Sequence, residues 1–264
     1  MTPRPGAAMT ACPGSKYSAV MDRVVVTEGC VRRPAGWWTP TVHAVWRHLR
    51  SAGFVHVPEP LGIDDAAEIL SWIPGESGAA GWAKVDPEDG LRAFARFLRS
   101  YHEAANGFVM PDGGRWALTE RPVRPGEVIC HGDFGPWNVV WDGAQPVGLI
   151  DFDFAGPGDP ILDVAYALEY TAPFRSDEEA MRWHNFKAAP HRRRRIAVFA
   201  ESYGLASVQG LVDAVIDRQR LDIAHVRQMA DQHVEPQRSW VEQGYLDELA
   251  ARISWSQKHR HLLQ

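Results

Sequence analysis

Short apolar runs broken by polar turns occupy residues 20–75 and predict a small sheet. Three of these runs are strand-like: 23–26, 30–33 and 68–73. A polar break at Gly29 favours a hairpin between the first two runs, and Pro74-Gly75 stops the third. Thr39-Pro40 is typical of a helix start, and apolar positions follow it at helical spacing. We therefore expect a sheet that carries one helix.

Helical periodicity dominates from residue 86 onward. Leu91, Phe94, Leu98 and Tyr101 stand three or four positions apart, which predicts a long amphipathic helix. Later segments have similar spacing: 161–170, 176–187, 191–203, 207–234 and 236–264. The order of elements predicts an α+β protein with a flexible tail, a small sheet-containing lobe and a larger, mainly helical lobe. Their predicted ranges are 1–19, 20–75 and 76–264.

The strongest local signal is a hairpin within the helical part, where Asp142-Gly143 joins two short apolar strands. A hairpin brings the residues before its first strand close to the residue after its second strand. Asp133 and Asn138 precede this hairpin and Asp151 follows it, so we expect the three side chains to converge. Asn and Asp oxygens suit Mg²⁺, which substrate phosphates often complete. Asp133 is then left to accept a proton from a hydroxyl, which indicates phosphoryl transfer to an alcohol.

Three motifs carry a resemblance to a known family: HGDxxxxN at 131–138, LIDFD at 149–153 and GDPILDVA at 158–165. The first has the spacing of protein kinase catalytic loops. Together they resemble the aminoglycoside phosphotransferase and choline kinase-like family. The resemblance implies a two-lobed protein-kinase-like fold, with ATP or GTP and Mg²⁺ in the cleft. It further implies Asp133 as the catalytic residue, Asn138 and Asp151 as magnesium ligands, and Asp163 as a brace for the catalytic loop.

The small lobe departs from the kinase pattern where a nucleotide would bind. Kinase-like enzymes hold the α- and β-phosphates with a strand Lys that pairs with a helix Glu, and neither is found at the expected place. We expect Arg32, and next Arg33, to hold phosphate, because a guanidinium can bind it bidentately. The best candidate for a glycine-rich phosphate loop, 14–19, lacks repeated glycines. Three residues resemble the linker whose main chain holds the nucleotide base: Ser71, Trp72 and Ile73.

Composition limits the classes of partner that the protein is expected to bind. The chain has 264 residues, 45% of them hydrophobic, which is enough for one large domain or two small ones. A formal net charge of −5 argues against a nucleic-acid partner. The sequence has no apolar stretch of membrane-spanning length, and its 3 widely spaced cysteines do not suggest a disulfide framework, so we expect a cytoplasmic protein. The expected partners are a nucleotide and a small-molecule hydroxyl substrate, with no nucleic acid and no membrane, in a monomer or homodimer.

The acceptor is left open between an aminoglycoside-like antibiotic and another amino alcohol or sugar, and antibiotic resistance is one interpretation. Acidic residues on the late helices either attract a cationic acceptor or are simply solvated: Asp177, Glu178, Glu179, Asp222 and Glu235. Asp153 is left open between a metal contact, a substrate contact and a solvated turn. We expect His131 to be structural, and the basic run at 191–195 to be a solvated helix face.

Two other functions fit parts of the sequence. The atypical small lobe fits a kinase-fold nucleotide-binding or regulatory protein with weak or no catalysis. Residues 147–153 also resemble the apolar strand and D-x-D motif of haloacid-dehalogenase-type phosphatases, in which Asp151 would be a covalent nucleophile. Against that interpretation, Ala155 stands where such phosphatases favour Thr or Val.

Overall fold

Four antiparallel strands form the sheet of the small lobe, in the spatial order Val25–Thr27, Cys30–Pro34, Ala67–Ser71 and Pro60–Ile63. A computed structural model describes residues 24–27, 29–64, 66–184 and 186–264, so the predicted tail and the candidate phosphate loop at 14–19 lie outside the described residues. The strands are β1 (Val25–Thr27), β2 (Cys30–Pro34), β3 (Pro60–Ile63) and β4 (Ala67–Ser71). Helix α1 (Thr39–Ser51) follows β2 and buries the apolar positions that the sequence indicated.

The large lobe is mainly helical and contains two short antiparallel strand pairs. Strand β5 (Val128–Cys130) pairs with β8 (Gly156–Gly158), and β6 (Val139–Asp142) pairs with β7 (Gln145–Leu149). A 3₁₀ turn (Pro136–Asn138) leads into β6. The helices are α2 (Ala80–Val85), α3 (Glu88–Ala105), α4 (Ile161–Thr171), α5 (Asp177–Trp183), α6 (Arg192–Tyr203), α7 (Leu211–Asp231), α8 (Gln237–Glu242), α9 (Tyr245–Lys258) and α10 (Arg260–Leu263).

Several predicted helix bounds are wrong. The segment predicted at 176–187 is helical only to Trp183, and that at 207–234 is helical from Leu211 to Asp231. The helix predicted from 236 to the end is divided into α8, α9 and α10. Gly244 has a φ of 84°, which a continuous right-handed helix excludes, and it separates α8 from α9. Strand β3 was missed because Pro60 and Gly62 interrupt its apolar pattern.

The core joins the two lobes behind the predicted active site. The apolar stripe of α3 is fully buried, and Tyr101 from that stripe donates a hydrogen bond to the carbonyl of Ile129, 2.8 Å away. Trp46 of α1 packs edge-on against Phe152, with 5.5 Å between ring centroids. Burying an aromatic side chain contributes roughly 1.5–3 kcal/mol, so these contacts fix α1 and α3 around the segment that carries the predicted catalytic residue. Within the described residues, no helix combines the length and the apolarity that a membrane span needs.

Candidate active site

The loop after β5 is built around a glycine that no other residue replaces easily. Gly132 has a φ of 80°, and a Cβ at this position would lie 2.2 Å from the carbonyl oxygen of Phe154. The loop therefore crosses directly over the segment that follows the β6–β7 hairpin. This close crossing brings Asp133 and Asp151 into one region, although 18 positions separate them in the chain.

The Asp163 side chain holds this loop in place through hydrogen bonds to its main chain. Its fully buried carboxylate accepts hydrogen bonds from the main-chain N–H groups of His131, at 2.6 Å, and Gly132, at 2.9 Å. His102 Nε2 lies 3.0 Å from the same carboxylate. Burial alone would raise the pKa of Asp163, but the interaction with His102, chiefly its hydrogen bond, and the hydrogen bond from the Gly132 N–H lower it. Hydrogen bonds to a charged group contribute about 1.5–3 kcal/mol each, so Asp163 holds the loop in the way that the motif implied.

His131 is positioned as a structural residue. Its Nδ1 accepts a hydrogen bond from the Asp133 main-chain N–H at 3.2 Å, so the ring proton resides on Nε2. Nε2 then donates to the carbonyl of Ile150 at 3.0 Å, which links the loop to the far strand of the hairpin. Burial lowers the pKa of His131 to about 4, so the ring is neutral at pH 7.

The Asp133 carboxylate is held by one hydrogen bond on each oxygen. Asn138 Nδ2 donates to Oδ2 at 2.8 Å, and the phenol of Tyr166 donates to Oδ1. Burial raises the pKa of Asp133 to about 7; the hydrogen bond from Tyr166 opposes the rise and the nearby charge of Asp151 adds to it. A carboxylate with a pKa near 7 is suited to accept a proton from an alcohol at neutral pH.

The β6–β7 hairpin brings Asn138 and Asp151 together as the sequence predicted. Val139 pairs with Leu149, and the Ile150 N–H donates to the Asn138 carbonyl at 2.9 Å. Asp151 follows with a φ of 65°, a left-handed conformation that turns the chain sharply at this point. Such a conformation is uncommon outside glycine and clusters at functional sites. The Asp151 side chain is 43% exposed, so it faces open space at the cleft.

Arg33 is the cation that faces these carboxylates. Its Nη1 lies 3.0 Å from Asp151 Oδ1, its Nη2 lies 2.8 Å from Asp153 Oδ1, and its Nε donates to Glu68 at 2.6 Å. Glu68 is 1% exposed and also lies 2.7 Å from His43 Nε2 on α1. Burial by itself lowers the pKa of Arg33, but the charges of the three carboxylates outweigh it and raise the pKa above its usual value.

Arg33 and the buried Glu68 therefore form an ion pair, although the sequence analysis did not find it. Arg33 and Glu68 stand directly opposite each other on β2 and β4. The Glu comes from a strand, and His43 ties it to the helix on which a Glu was sought. A charged residue inside the apolar run Ala67-Glu68-Ile69-Leu70 was the available signal, since such a residue is rarely buried without a partner.

Arg32, the first choice for phosphate, lies elsewhere. Successive side chains of a strand point to opposite faces, so Arg32 and Arg33 cannot both face the cleft. Arg32 is half exposed and forms an ion pair with Asp64 on the other face of the sheet. Asp153, whose role was open, accepts hydrogen bonds from Arg33 and from Trp38 Nε1, at 3.2 Å.

The predicted linker runs from the last strand of the small lobe onto the β6–β7 hairpin. Ser71 ends β4, and the Trp72 N–H donates to the Gly29 carbonyl at 2.7 Å while its indole stays 43% exposed. Ile73 packs closely on Gly148 of β7, where a Cβ would lie 2.8 Å from the Ile73 side chain. Two reciprocal main-chain hydrogen bonds of 2.8 Å then join Glu76 to Trp141. These contacts fix the linker beside the site.

The donor set fits a hard divalent cation at an incomplete site. Asn138 uses Nδ2 for Asp133, which leaves its carbonyl Oδ1 for a cation, and Asp151 uses Oδ1 for Arg33 and retains Oδ2. These are the oxygen ligands that Mg²⁺ prefers. Across the described part of the chain, His, Cys, Asp and Glu form no group of three or more that could hold a metal. Two protein ligands that phosphate oxygens complete are consistent with both observations.

Comparisons with known proteins agree with this geometry. A profile of the phosphotransferase enzyme family matches residues 39–126 and 114–196. The trifolitoxin immunity protein of Rhizobium leguminosarum bv. trifolii is 32% identical over 253 residues, which cover 92% of this chain and 94% of that protein.

Solved structures show the same fold at low identity. The GDP complex of aminoglycoside 2'-phosphotransferase-IIIa superimposes with a TM-score of 0.54 at 14% identity, covering 90% of this chain and 89% of that one. Amicoumacin kinase in complex with AMP-PNP, Ca²⁺ and its substrate gives a TM-score of 0.54 at 13% identity, covering 87% and 82%. The protein-kinase-like fold is thus confirmed, and it leaves no place for the dehalogenase-type interpretation of Asp151. The chain belongs to the phosphotransferase enzyme family, as a kinase that takes an alcohol group as acceptor.

Proposed function

We propose that this protein transfers the γ-phosphoryl group of ATP or GTP to a hydroxyl of a small molecule, with Asp133 as the catalytic base. The observation that carries the proposal is the Asp133 carboxylate itself, held on both oxygens, with a pKa of about 7 and next to Asp151. The acceptor hydroxyl loses its proton to Asp133 as its oxygen bonds to the γ-phosphorus and the nucleoside diphosphate leaves.

The other predicted residues receive roles by their positions. Asn138 and Asp151 would hold Mg²⁺, which when bound neutralises charge on the phosphates. Arg33, the cation nearest to Asp151, would hold the α- and β-phosphates in place of the usual Lys. Main chain at Ser71, Trp72 and Ile73 would hold the nucleotide base. Arg32 is not proposed for phosphate, because it lies on the other face of the sheet from Asp151, where it pairs with Asp64.

In this proposal, the acceptor is a toxin or an antibiotic that carries a hydroxyl. The relative with 32% identity is an immunity protein against trifolitoxin, and a structural neighbour phosphorylates amicoumacin. Phosphorylating a hydroxyl adds about −1.5 to −2 charge and a bulky group, both of which oppose the fit of a toxin to its target. The sequence-based expectation of an aminoglycoside-like antibiotic, or another amino alcohol or sugar, is one part of this class.

A screen of hydroxyl compounds tests the proposal directly. The protein is incubated with Mg²⁺ and ATP or GTP, and production of the nucleoside diphosphate is measured against a library of hydroxyl-bearing antibiotics and toxins. We expect at least one compound to stimulate turnover and to gain one phosphoryl group by mass spectrometry. Stabilisation by Mg²⁺–ATP in a thermal-shift assay, with no acceptor phosphorylated, would favour the nucleotide-binding or regulatory alternative instead.

A further inference from the structure

Three aromatic rings that are partly exposed form a continuous wall beside Asp133. Trp82 of α2 packs on Trp137 of the 3₁₀ turn, with ring centroids 4.9 Å apart, and Trp137 lies 6.2 Å from Tyr166 of α4. The phenol of Tyr166 is bonded to the Asp133 carboxylate. The wall therefore begins at the proposed base and extends away from it over two indole rings.

The wall is fixed by close backbone contacts and by buried rings behind it. Helix α2 approaches the 3₁₀ turn so closely that a Cβ on Gly81 would lie 1.9 Å from the Pro136 carbonyl oxygen. The Gly78 N–H donates to the Trp137 carbonyl at 2.8 Å. Buried Tyr170 stands edge-on to Trp137 at 4.8 Å, and buried His184 lies 4.4 Å from Trp82. A rigid aromatic surface of this kind loses little entropy when a ligand stacks on it.

The acidic side chains around the wall are engaged within the protein. Asp222 forms an ion pair with Arg218, whose guanidinium also covers the Tyr166 ring at 4.7 Å. Glu169 is buried with its carboxylate 3.8 Å from Arg175. Three other acidic residues that the sequence analysis considered for a cationic acceptor also have partners within the protein. Asp177 pairs with Arg192, Glu179 closes a capping box, and Glu235 accepts a hydrogen bond from Ser239. A polycation would have to displace Arg218, Arg175 or Arg192 from its carboxylate, and the displaced Arg would repel it.

We propose that the acceptor carries its reactive hydroxyl next to an aromatic ring, which stacks on Trp137 and Trp82 while the hydroxyl reaches Asp133. This inference rests on the proposed function and narrows its acceptor class. Aromatic pairs stabilise a complex beyond the area that they bury, and an aryl group gains this extra stabilisation on the indoles whereas a saturated ring of the same size does not. Recognition by ring stacking replaces the attraction of a cation to carboxylates.

Binding of matched probes tests the inference without requiring turnover. Calorimetric titrations use the full chain with Mg²⁺ and a non-hydrolysable ATP analogue, and compare 2-naphthalenemethanol, its fully saturated counterpart and the polycation kanamycin. We expect the aryl alcohol to bind about 3- to 10-fold more tightly than the saturated alcohol, and kanamycin to bind more weakly than both. Trp137→Leu should remove the preference for the aryl alcohol, whereas Trp137→Phe, which keeps a ring, should retain most of it.

Equal affinities for the aryl and saturated alcohols, no detectable binding of the aryl alcohol, or tightest binding of kanamycin would overturn the inference. Because the readout is a ratio within each variant, a general loss of folded protein does not imitate the result. Phosphorylation of the same probes is measured in parallel. Selective binding with no phosphoryl transfer would count against the proposed function alone, and transfer to kanamycin only would count against the aromatic acceptor alone.

Discussion

Replacing Arg33 tests whether its ion pairs contribute more to the stability of the protein than an ordinary surface ion pair does. In Arg33→Met, Glu68 loses its guanidinium while it is 1% exposed. Breaking a buried ion pair by removing one partner costs about 3–5 kcal/mol, and we expect the lower end of this range because His43 Nε2 stays 2.7 Å from Glu68. The contacts to Asp151 and Asp153 add little, because those carboxylates are 43% and 34% exposed and water screens them. For a chain of this size the loss corresponds to a melting temperature lower by about 10 °C.

The assay is thermal and urea unfolding of wild type, Arg33→Met and Arg32→Met. Arg32 is the matched control, because it stands next to Arg33 on the same strand but pairs with Asp64 in solvent. We expect Arg32→Met to unfold like wild type. Equal melting temperatures for Arg33→Met and Arg32→Met would refute the reasoning.

A double variant separates the structural role of Arg33 from its proposed role in binding phosphate. Arg33→Met combined with Glu68→Met removes both charges, and replacing a buried ion pair by apolar residues is often neutral. We expect most of the lost stability to return, less the hydrogen bond that His43 makes to Glu68. The affinity for Mg²⁺–ATP should be as low in the double variant as in Arg33→Met, because neither variant has the contact between Arg33 and phosphate. Recovery of nucleotide binding together with stability would show that Arg33 has a structural role only.

Three further predictions concern the loop around Asp133. Tyr166→Phe removes a hydrogen bond that lowers the pKa of Asp133, so the acid limb of the kcat/KM profile should move to higher pH by about 1 unit relative to wild type. The folded pKa of His131 is depressed to about 4 and the unfolded ring titrates near 6.5, so the contribution of this ring to stability should fall by about 3 kcal/mol as pH drops from 6.5 to 4. The raised pKa of Asp133 acts in the opposite direction over this range, so the test is a comparison: in urea unfolding, wild type should lose about 3 kcal/mol more than His131→Gln. Gly132→Ala should destabilise the protein by at least about 1–3 kcal/mol and lower turnover, because the position has a positive φ and an added Cβ would clash with the Phe154 carbonyl. A wild-type melting temperature for this variant would contradict the view that the loop requires glycine at this position.

The parts of the fold that local sequence encodes were predictable. Asp142-Gly143 between two apolar runs predicts a hairpin, and that hairpin brings Asn138 close to Asp151. The stripe of α3 and the cap and proline before α1 are likewise local signals. Such features depend on neighbouring residues, and a single chain displays them without knowledge of the fold.

The parts that long-range pairing decides were not predictable. Arg33 meets Glu68, Asp151 and Asp153 at separations of 35, 118 and 120 residues. Strand alternation shows that only one of Arg32 and Arg33 can face the cleft, but the partners that decide between them come from elsewhere.

The basic run at 191–195 gives a second example, because the prediction of a solvated face is wrong for two of its arginines. Arg192 and Arg195 are buried. Arg192 donates to the carbonyl of Pro173 and Arg195 to that of Thr171, at and just beyond the end of α4. Exposed helix ends leave carbonyls that need donors, but which donors reach them depends on tertiary packing.

Turnover of Asp133→Asn and Asp142→Asn, compared side by side, tests the central claim most directly. Both substitutions remove one carboxylate from the same segment, and Asp142 lies in the exposed turn of the hairpin. A general base contributes roughly 100- to 10,000-fold to rate. With an acceptor from the screen, we predict that Asp133→Asn lowers kcat by at least about 100-fold, while Asp142→Asn keeps the wild-type rate. Near-wild-type turnover of Asp133→Asn would contradict the assignment of Asp133 as the base.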